Sequence, residues 1–400
     1  MMKRSIPLLT IESQIKRCLR RHLQTLGFEK DEEGLLVAPG DSKDAIRTVH
    51  AIQRRDKLLK ESGFIARSWP LLRDCFADGD AVDPDRISPR LEVIRGGSWQ
   101  SDLFRLAALT WSVPVSQGFG RRIRFIVWDG SNDKLVGLIA LGDPVFNLKA
   151  RDDAIGWTAS DRSHRLACVL DAYVLGAVPP YNSLLAGKLL ACLIRSSNVR
   201  AVFRKRYRNS CGIISGECRR PQLALVTTTS ALGRSAVYNR LVLEGTRFFQ
   251  SVGFTGGWGH FHVPDDLFDL MRHYLSAKED PYARNNRFGD GPNWRFRAIR
   301  RVLALLGQNR DLLRHNIRRE VFMCSLGENS AQFLRGEHKR LRPSPLQSVE
   351  QISAIARARW IIPRAHRVPA FRTWKRDNIL EVLRPRATCV LRADASRDVG

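Results

Sequence analysis

The stretch from Leu223 to Val263, LALVTTTSALGRSAVYNRLVLEGTRFFQSVGFTGGWGHFHV, constrains the fold most, because strand-like, turn-like, helical and glycine-rich segments follow one another with almost no slack. Leu223 to Thr228 is apolar and β-branched over the length of a buried strand. Thr229 to Arg234 offers turn and helix-start residues, and the apolar spacing from Ser235 to Ser251 predicts a helix that Gly253 stops. Gly256, Gly257 and Gly259, around Trp258, open backbone conformations closed to other residues. His260 to Val263 then alternates as a following strand. Segments of these kinds in this order predict a mixed α/β core.

A chain of 400 residues with 44% hydrophobic and 8% aromatic residues is long enough for two or three folded domains. Its formal charge of +26 attracts polyanions through counterion release, which makes nucleic acid the expected partner class. No uninterrupted apolar run reaches the roughly 18 residues of a spanning helix, and the start, MMKRSIPLLT, has too short an apolar stretch for a signal peptide. The expectation is a cytoplasmic protein without a membrane partner. Eight cysteines are scattered without a CxxC pair, so neither a disulfide framework nor a strong zinc signature is present. Cys211 and Cys218 with His260 and His262 supply four donors, at a spacing unlike a zinc knuckle. No cofactor is expected, apart from Mg2+ should the chain cut nucleic acid.

Texture divides the chain into three stretches. Residues 1–90 carry charged helical patterns at Ile15 to Leu26 and Ala45 to Ser62, with a small turn or hairpin between them and an acidic, linker-like Asp78 to Arg90 at the end. Residues 91–275 are mixed α/β: a helix at Ser101 to Leu109, a hairpin of Arg122 to Trp128 with Leu135 to Leu141, a strand at Cys168 to Leu175 and a largely apolar helix at Ser183 to Arg195. Residues 276–400 form a basic, mainly helical region, helical from about Trp294 and again around Val349 to Trp360. From Pro281 onward the chain has 25 Lys/Arg against 10 Asp/Glu.

Arginine predominates in that excess, and its planar fork matches phosphate and stacks on bases. Arg295, Arg297, Arg300, Arg301, Arg314 and Arg318 are therefore candidate nucleic-acid contacts, with Trp294 and Phe296 interleaved among them. A second polar concentration, Arg234, Ser235, Tyr238, Asn239 and Arg240, falls at the start of the predicted 235–251 helix, where backbone amides favour an anion. Catalytic candidates are fewer. Asp152 and Asp153 are paired carboxylates that suit either a divalent metal or a salt-bridged turn. Asp171 is an acid inside an apolar strand, where it must be paired, exposed or functional. His260 and His262, two apart, would share one face of a strand and could move protons, bind metal, touch phosphate or simply be solvated.

Several longer blocks carry a resemblance. The order of strands and helices, with FFQSVGF at 248–254, resembles the N-acetyltransferase-like (GNAT-like) fold. WSVPVSQGFGRRIRF at 111–125, GDPVFNLKARDDAIGW at 142–157, TTTSALGRSAVYNRL at 227–241 and VGFTGGWGHFH at 252–262 are similar to the DruA family of the Druantia anti-phage defence system, which also resembles transposon-associated proteins. The resemblance implies a GNAT-like mixed sheet flanked by helices, a role in defence, and partner Druantia proteins including a large helicase. It supplies no reaction. The acetyltransferase pyrophosphate loop, Gln/Arg-x-x-Gly-x-Gly/Ala, would fall on Asn182 to Gly187, where only Gly187 agrees, so a degenerate, non-catalytic core that binds DNA is expected. The alternatives are a metal-dependent DNA-processing enzyme and a scaffold without DNA binding of its own.

Overall fold

The computed structural model describes residues 10–386 apart from 31, 33–35, 38–39, 41, 117–119, 212–217, 220, 236, 258–260, 285–291, 311, 314–316 and 346. Packing divides the chain into two units, one combining the residues up to Asp56 with Gly256–Ile317, the other combining Lys57–Thr255 with Arg318–Pro385. Neither unit is continuous in sequence, and residues 256–275 pack with the N-terminal helices. Among the described residues no helix is long and apolar enough to cross a membrane.

In the first unit, α1 (Ile11–Thr25) begins at Thr10, whose hydroxyl accepts the Ser13 amide at 3.2 Å. Its apolar face, Ile15, Leu19 and Leu23, repeats every four residues and is buried. α2 (Lys43–Leu72) supplies residues 43–56 here and 57–72 to the other unit. Between α1 and α2 lies a two-residue antiparallel pairing of Glu29–Lys30 with Leu36–Val37, the expected hairpin.

The second unit is built on a mixed sheet. Its strands are β1 (Pro89–Val93), β2 (Arg122–Asp129), β3 (Lys134–Gly142), β4 (Val169–Ala177), β5 (Leu225–Thr229), β6 (Gln250–Phe254) and β7 (Glu320–Ser325). The spatial order is β6-β7-β5-β4-β3-β2-β1, antiparallel except for β4 and β5, which run parallel from Val169↔Leu225 to Asp171↔Thr227. The predicted 122–141 hairpin is present with Asp129 opposite Lys134.

Helices cover both faces of this sheet. α3 (Trp99–Ala108) packs on one face with Ile126, Leu138 and Val174. α4 (Lys149–Ile155) and α5 (Ala159–Arg165) follow β3. α6 (Ala186–Leu193) and α7 (Ser197–Tyr207) follow β4, and α6 buries Leu189 to Leu193 completely, as the all-round apolar pattern requires. A Cβ on Gly137 of β3 would lie 2.2 Å from the Gly176 carbonyl oxygen and 2.6 Å from Leu190 Cδ2, so glycine is what lets α6 approach the sheet. The remaining helices are α8 (Asp265–Ala277) and α9 (Pro292–Leu305) in the first unit, and α10 (Ser330–Arg335), α11 (Val349–Ala356), α12 (Ile362–Arg367) and α13 (Asn378–Val382) in the second. α8 and α9 bury Leu267, Met271, Val302 and Leu303 in the core that contains Ile15 and Leu19.

Several expectations are corrected. Residues 235–251 are not a helix: a single 3-10 turn at Tyr238–Arg240 leads into paired Val242–Leu243 and Thr246–Arg247 and then into β6. Glu244 (φ 46°) and Gly245 (φ 73°) form the two-residue reversal, whose positive φ values no helix accommodates. Gly253 is not a helix stop but sits at φ 124° in a bulge of β6. Phe261 to Pro264 form no strand, and His260 lies outside the described residues. β7, in a stretch read as helical, inserts between β5 and β6. The acidic 78–90 segment is no linker. Asp78 and Asp80 pair with Arg376 (3.2 Å) and Lys375 (2.6 Å), and its last two residues enter β1.

Candidate nucleic-acid interface

The 234–240 loop is knotted around one buried carboxylate. Glu320, at the start of β7, accepts the Ser235 amide at 3.0 Å, the Asn239 Nδ2 at 3.3 Å and the Ser251 hydroxyl at 2.8 Å. The Ser235 hydroxyl in turn accepts the amides of Val237 and Tyr238, both at 3.1 Å. Tyr238 packs against Phe249 and Phe322, and burial pushes its phenol up to about 12. Ser235, Tyr238 and Asn239 therefore build the loop, whereas Arg234 and Arg240 are exposed on it. The helix start argued for this cluster is absent, so any anion here meets side-chain charge rather than a helix terminus.

Arg240 belongs to a wider cationic group. Lys188, in the first turn of α6, has its ammonium pKa lowered by burial and then by repulsion from Arg240, Arg359 and Arg367. Its Nζ stands 5.3 Å from the ring centre of Trp360, on the π-turn Arg357–Ile361 that joins α11 to α12. Arg364 donates to the Ser183 carbonyl at 3.1 Å, which ties α12 to the turn before α6. Leu185, just before α6, adopts φ 61°. That left-handed conformation costs a non-glycine residue roughly 1–2 kcal/mol.

The arginine stripe predicted beyond residue 281 is split by the fold. In the first unit Arg295 bonds Asp265 at 3.0 Å and lies 4.1 Å from the Phe268 ring centre, and Arg301 bonds the buried Asp280 at 2.6 Å. These two fasten α9 in place. Arg297 is exposed, Arg300 stacks on Phe296 at 5.6 Å, and Arg314 lies outside the described residues. Arg318 belongs to the second unit, 5.3 Å from the Phe254 ring centre.

The carboxylates divide by environment. Asp152 is buried and receives Arg151 Nε and Arg162 NH1, both at 2.8 Å, while the fully buried Arg151 also donates to the carbonyls of Val145 and Phe146 at 2.8 Å. Its oxygens are thus committed to two guanidinium groups, an arrangement that matches the salt-bridged turn; Asp153 is exposed beside it. Asp171 lies where β4 and β5 run parallel and accepts the Thr227 hydroxyl at 2.7 Å. Part of the residue reaches solvent, but its carboxyl is enclosed, and desolvation pushes it up to about 6 against the Thr227 bond and the Arg151 charge. Among the described residues no three His, Cys, Asp or Glu converge on a metal position. The side chains of Cys211 and Cys218 lie outside the described residues.

His262 is in the first unit, where its Nε2 meets Asp56 at 3.1 Å and its carbonyl meets His22 Nε2 at 2.7 Å. Burial lowers the pKa of both imidazoles. These contacts fasten α1 to the 261–264 segment.

One basic element escaped the sequence reading. α7 carries Arg200, Arg204, Lys205 and Arg206, with Arg208 as its C-cap, and no acid. The run RKRYR at 204–208 signals it.

The comparisons with known proteins agree with one another. A family profile described as Druantia protein DruA matches residues 40–336. The chain is 49% identical over 372 residues, 93% of its own length and 92% of the relative's, to a protein described as Druantia protein DruA from Escherichia coli (strain UMEA 4076-1). No solved structure matches. The chain belongs to the DruA family of Druantia proteins.

Proposed function

We propose that this chain is the DNA-binding component of a bacterial Druantia anti-phage system, acting in the cytoplasm on phage DNA or a DNA intermediate alongside partner Druantia proteins, a helicase among them. The observation that carries the reading is the group formed by Lys188, Arg240, Arg359 and Arg367 beside Trp360. A polyanion laid across these like charges would relieve the mutual repulsion that adds to burial in lowering the Lys188 pKa. Family membership supports the defence role, and the overall charge of +26 supports the partner class. The strand order along the chain, with a hairpin, a long strand, a buried helix and a parallel strand, supports a GNAT-like core.

A second reading, DNA-processing chemistry, is favoured by one feature: burial raises the Asp171 carboxyl to about 6, toward the range in which a general acid or base works. Cells carrying a complete Druantia locus separate the readings. Replacing Lys188, Arg240, Arg359 and Arg367 with Gln should abolish protection against phage while the protein accumulates normally, and Asp171→Asn should leave protection intact. The opposite pattern would establish the catalytic reading. Pull-down of partner proteins after nuclease treatment, with no DNA binding by the purified chain, would make it a scaffold.

A further inference from the structure

A cavity of about 420 Å³ opens along α7, walled by Arg200, Arg204, Phe203, Leu223 and Gln222. Arg200 and Arg204 lie one helical turn apart and so project from the same side of α7. The Arg200 NH1 donates to the Gln347 amide oxygen at 3.2 Å, a neutral partner that orients the guanidinium without supplying a counter-charge. Burial, and then the like charge of Arg204, lower the Arg200 pKa. No carboxylate lines the cavity among the described residues. A second cavity of about 400 Å³ on α7, against Leu91, Val93 and Phe125, has no charged lining, so charge is concentrated on the one side.

We propose that this cavity is a phosphate subsite for nucleic acid, in which the Arg200 and Arg204 forks together grip one backbone phosphate. Two planar forks lining one cavity that has no carboxylate among its described residues suit the oxygens of a phosphodiester. The exposed Lys205, Arg206 and Arg208 continue the positive charge along and past the helix end, which suits an extended polyanion better than a single small anion. Basic residues in a last turn also complement the helix dipole, but Arg200 lies mid-helix and gains nothing from it. The subsite rests on the DNA binding proposed above and extends it to an element away from Lys188 in the sequence.

The test is fluorescence anisotropy of the full chain with a labelled duplex over a salt series. Arg200→Gln and Arg204→Gln should each weaken binding about tenfold, and the double variant should reduce the salt slope by about one. Arg206→Gln, with the same change of charge on the same helix, should cost clearly less. Equal losses for all three would reduce the subsite to net charge and overturn it, as would unchanged affinity in the double variant. Should Arg200→Gln disturb the Gln347 contact and the fold, the exposed Arg204→Gln carries the test. Binding of thymidine monophosphate that Arg200→Gln abolishes, with DNA affinity unchanged, would make the cavity a mononucleotide site and overturn the assignment. No DNA binding by the unsubstituted chain would remove the broader reading, and this one with it.

Discussion

Asp152→Ala should be among the most damaging single substitutions in the sheet-containing unit. It would leave Arg151, fully buried, without its counter-ion, holding only the carbonyls of Val145 and Phe146. Removing one partner of a buried ion pair costs about 3–5 kcal/mol. For a unit of this size that corresponds to a fall in Tm of roughly 6–20 °C. Arg162→Gln should cost much less, since Arg162 is partly exposed and Arg151 still neutralises Asp152. Circular dichroism melts of the full chain, with far-UV and near-UV signals followed separately, read both values. A Tm within about 2 °C of the unsubstituted protein, accompanied by a loss of stabilisation by added Mg2+, would refute the argument and return Asp152 to the metal-ligand reading.

Three further outcomes follow from the same structure. The Asp171 carboxyl is raised from 3.8 to about 6 on folding, so its contribution to stability is full below about pH 4 and is lost as pH rises through 6. Asp171→Asn, which keeps an acceptor for Thr227, should therefore stabilise by up to about 3 kcal/mol at pH 8 and by almost nothing at pH 4; destabilisation at pH 8 would show that the charged form is favoured. His22 and His262 are shifted the other way, below 6.5 by burial, so their contribution is present above that pH and is lost on acidification. Amides of α1 and α8 should exchange faster, after correction for intrinsic rates, below pH 6.5, and His22→Gln should flatten the change; a pH-independent profile would contradict it. Gly137→Ala should lose about 1–3 kcal/mol or more through the clash with the Gly176 carbonyl and Leu190, measured by urea titration, and a neutral result would mean that α6 can retreat from the sheet.

The sheet was legible where periodicity was strong. β2, β3, β4 and β5 are apolar, β-branched runs bounded by turns, and α6 is mostly apolar because, Gly187 and Lys188 apart, it is buried. Residues 235–251 misled because their apolar spacing fits a helix, while the deciding feature is the Glu244-Gly245 reversal, a conformational preference that hydrophobic period does not report. β7 was hidden by the arginines before it and by its place: both strands it pairs with, β5 and β6, lie far back in the chain. Site residues were harder for a physical reason. Whether Arg301 faces solvent or Asp280, and whether Ser235 contacts a ligand or Glu320, depends on partners distant in the chain. Arg240 was found by local polarity, but its companions Lys188, Arg359 and Arg367 come from three segments that only packing brings together.

If the cluster of Lys188, Arg240, Arg359 and Arg367 serves DNA binding, affinity must depend on salt. The most direct test is the affinity of the purified full chain for single-stranded, duplex and forked DNA across a salt series, with the DNA afterwards run on a denaturing gel. The account predicts tight binding that leaves the DNA intact, with log Kobs falling linearly against log salt with a slope of several, and a shallower slope when Lys188, Arg240, Arg359 and Arg367 are neutralised together. Binding that is absent or indifferent to salt would contradict it.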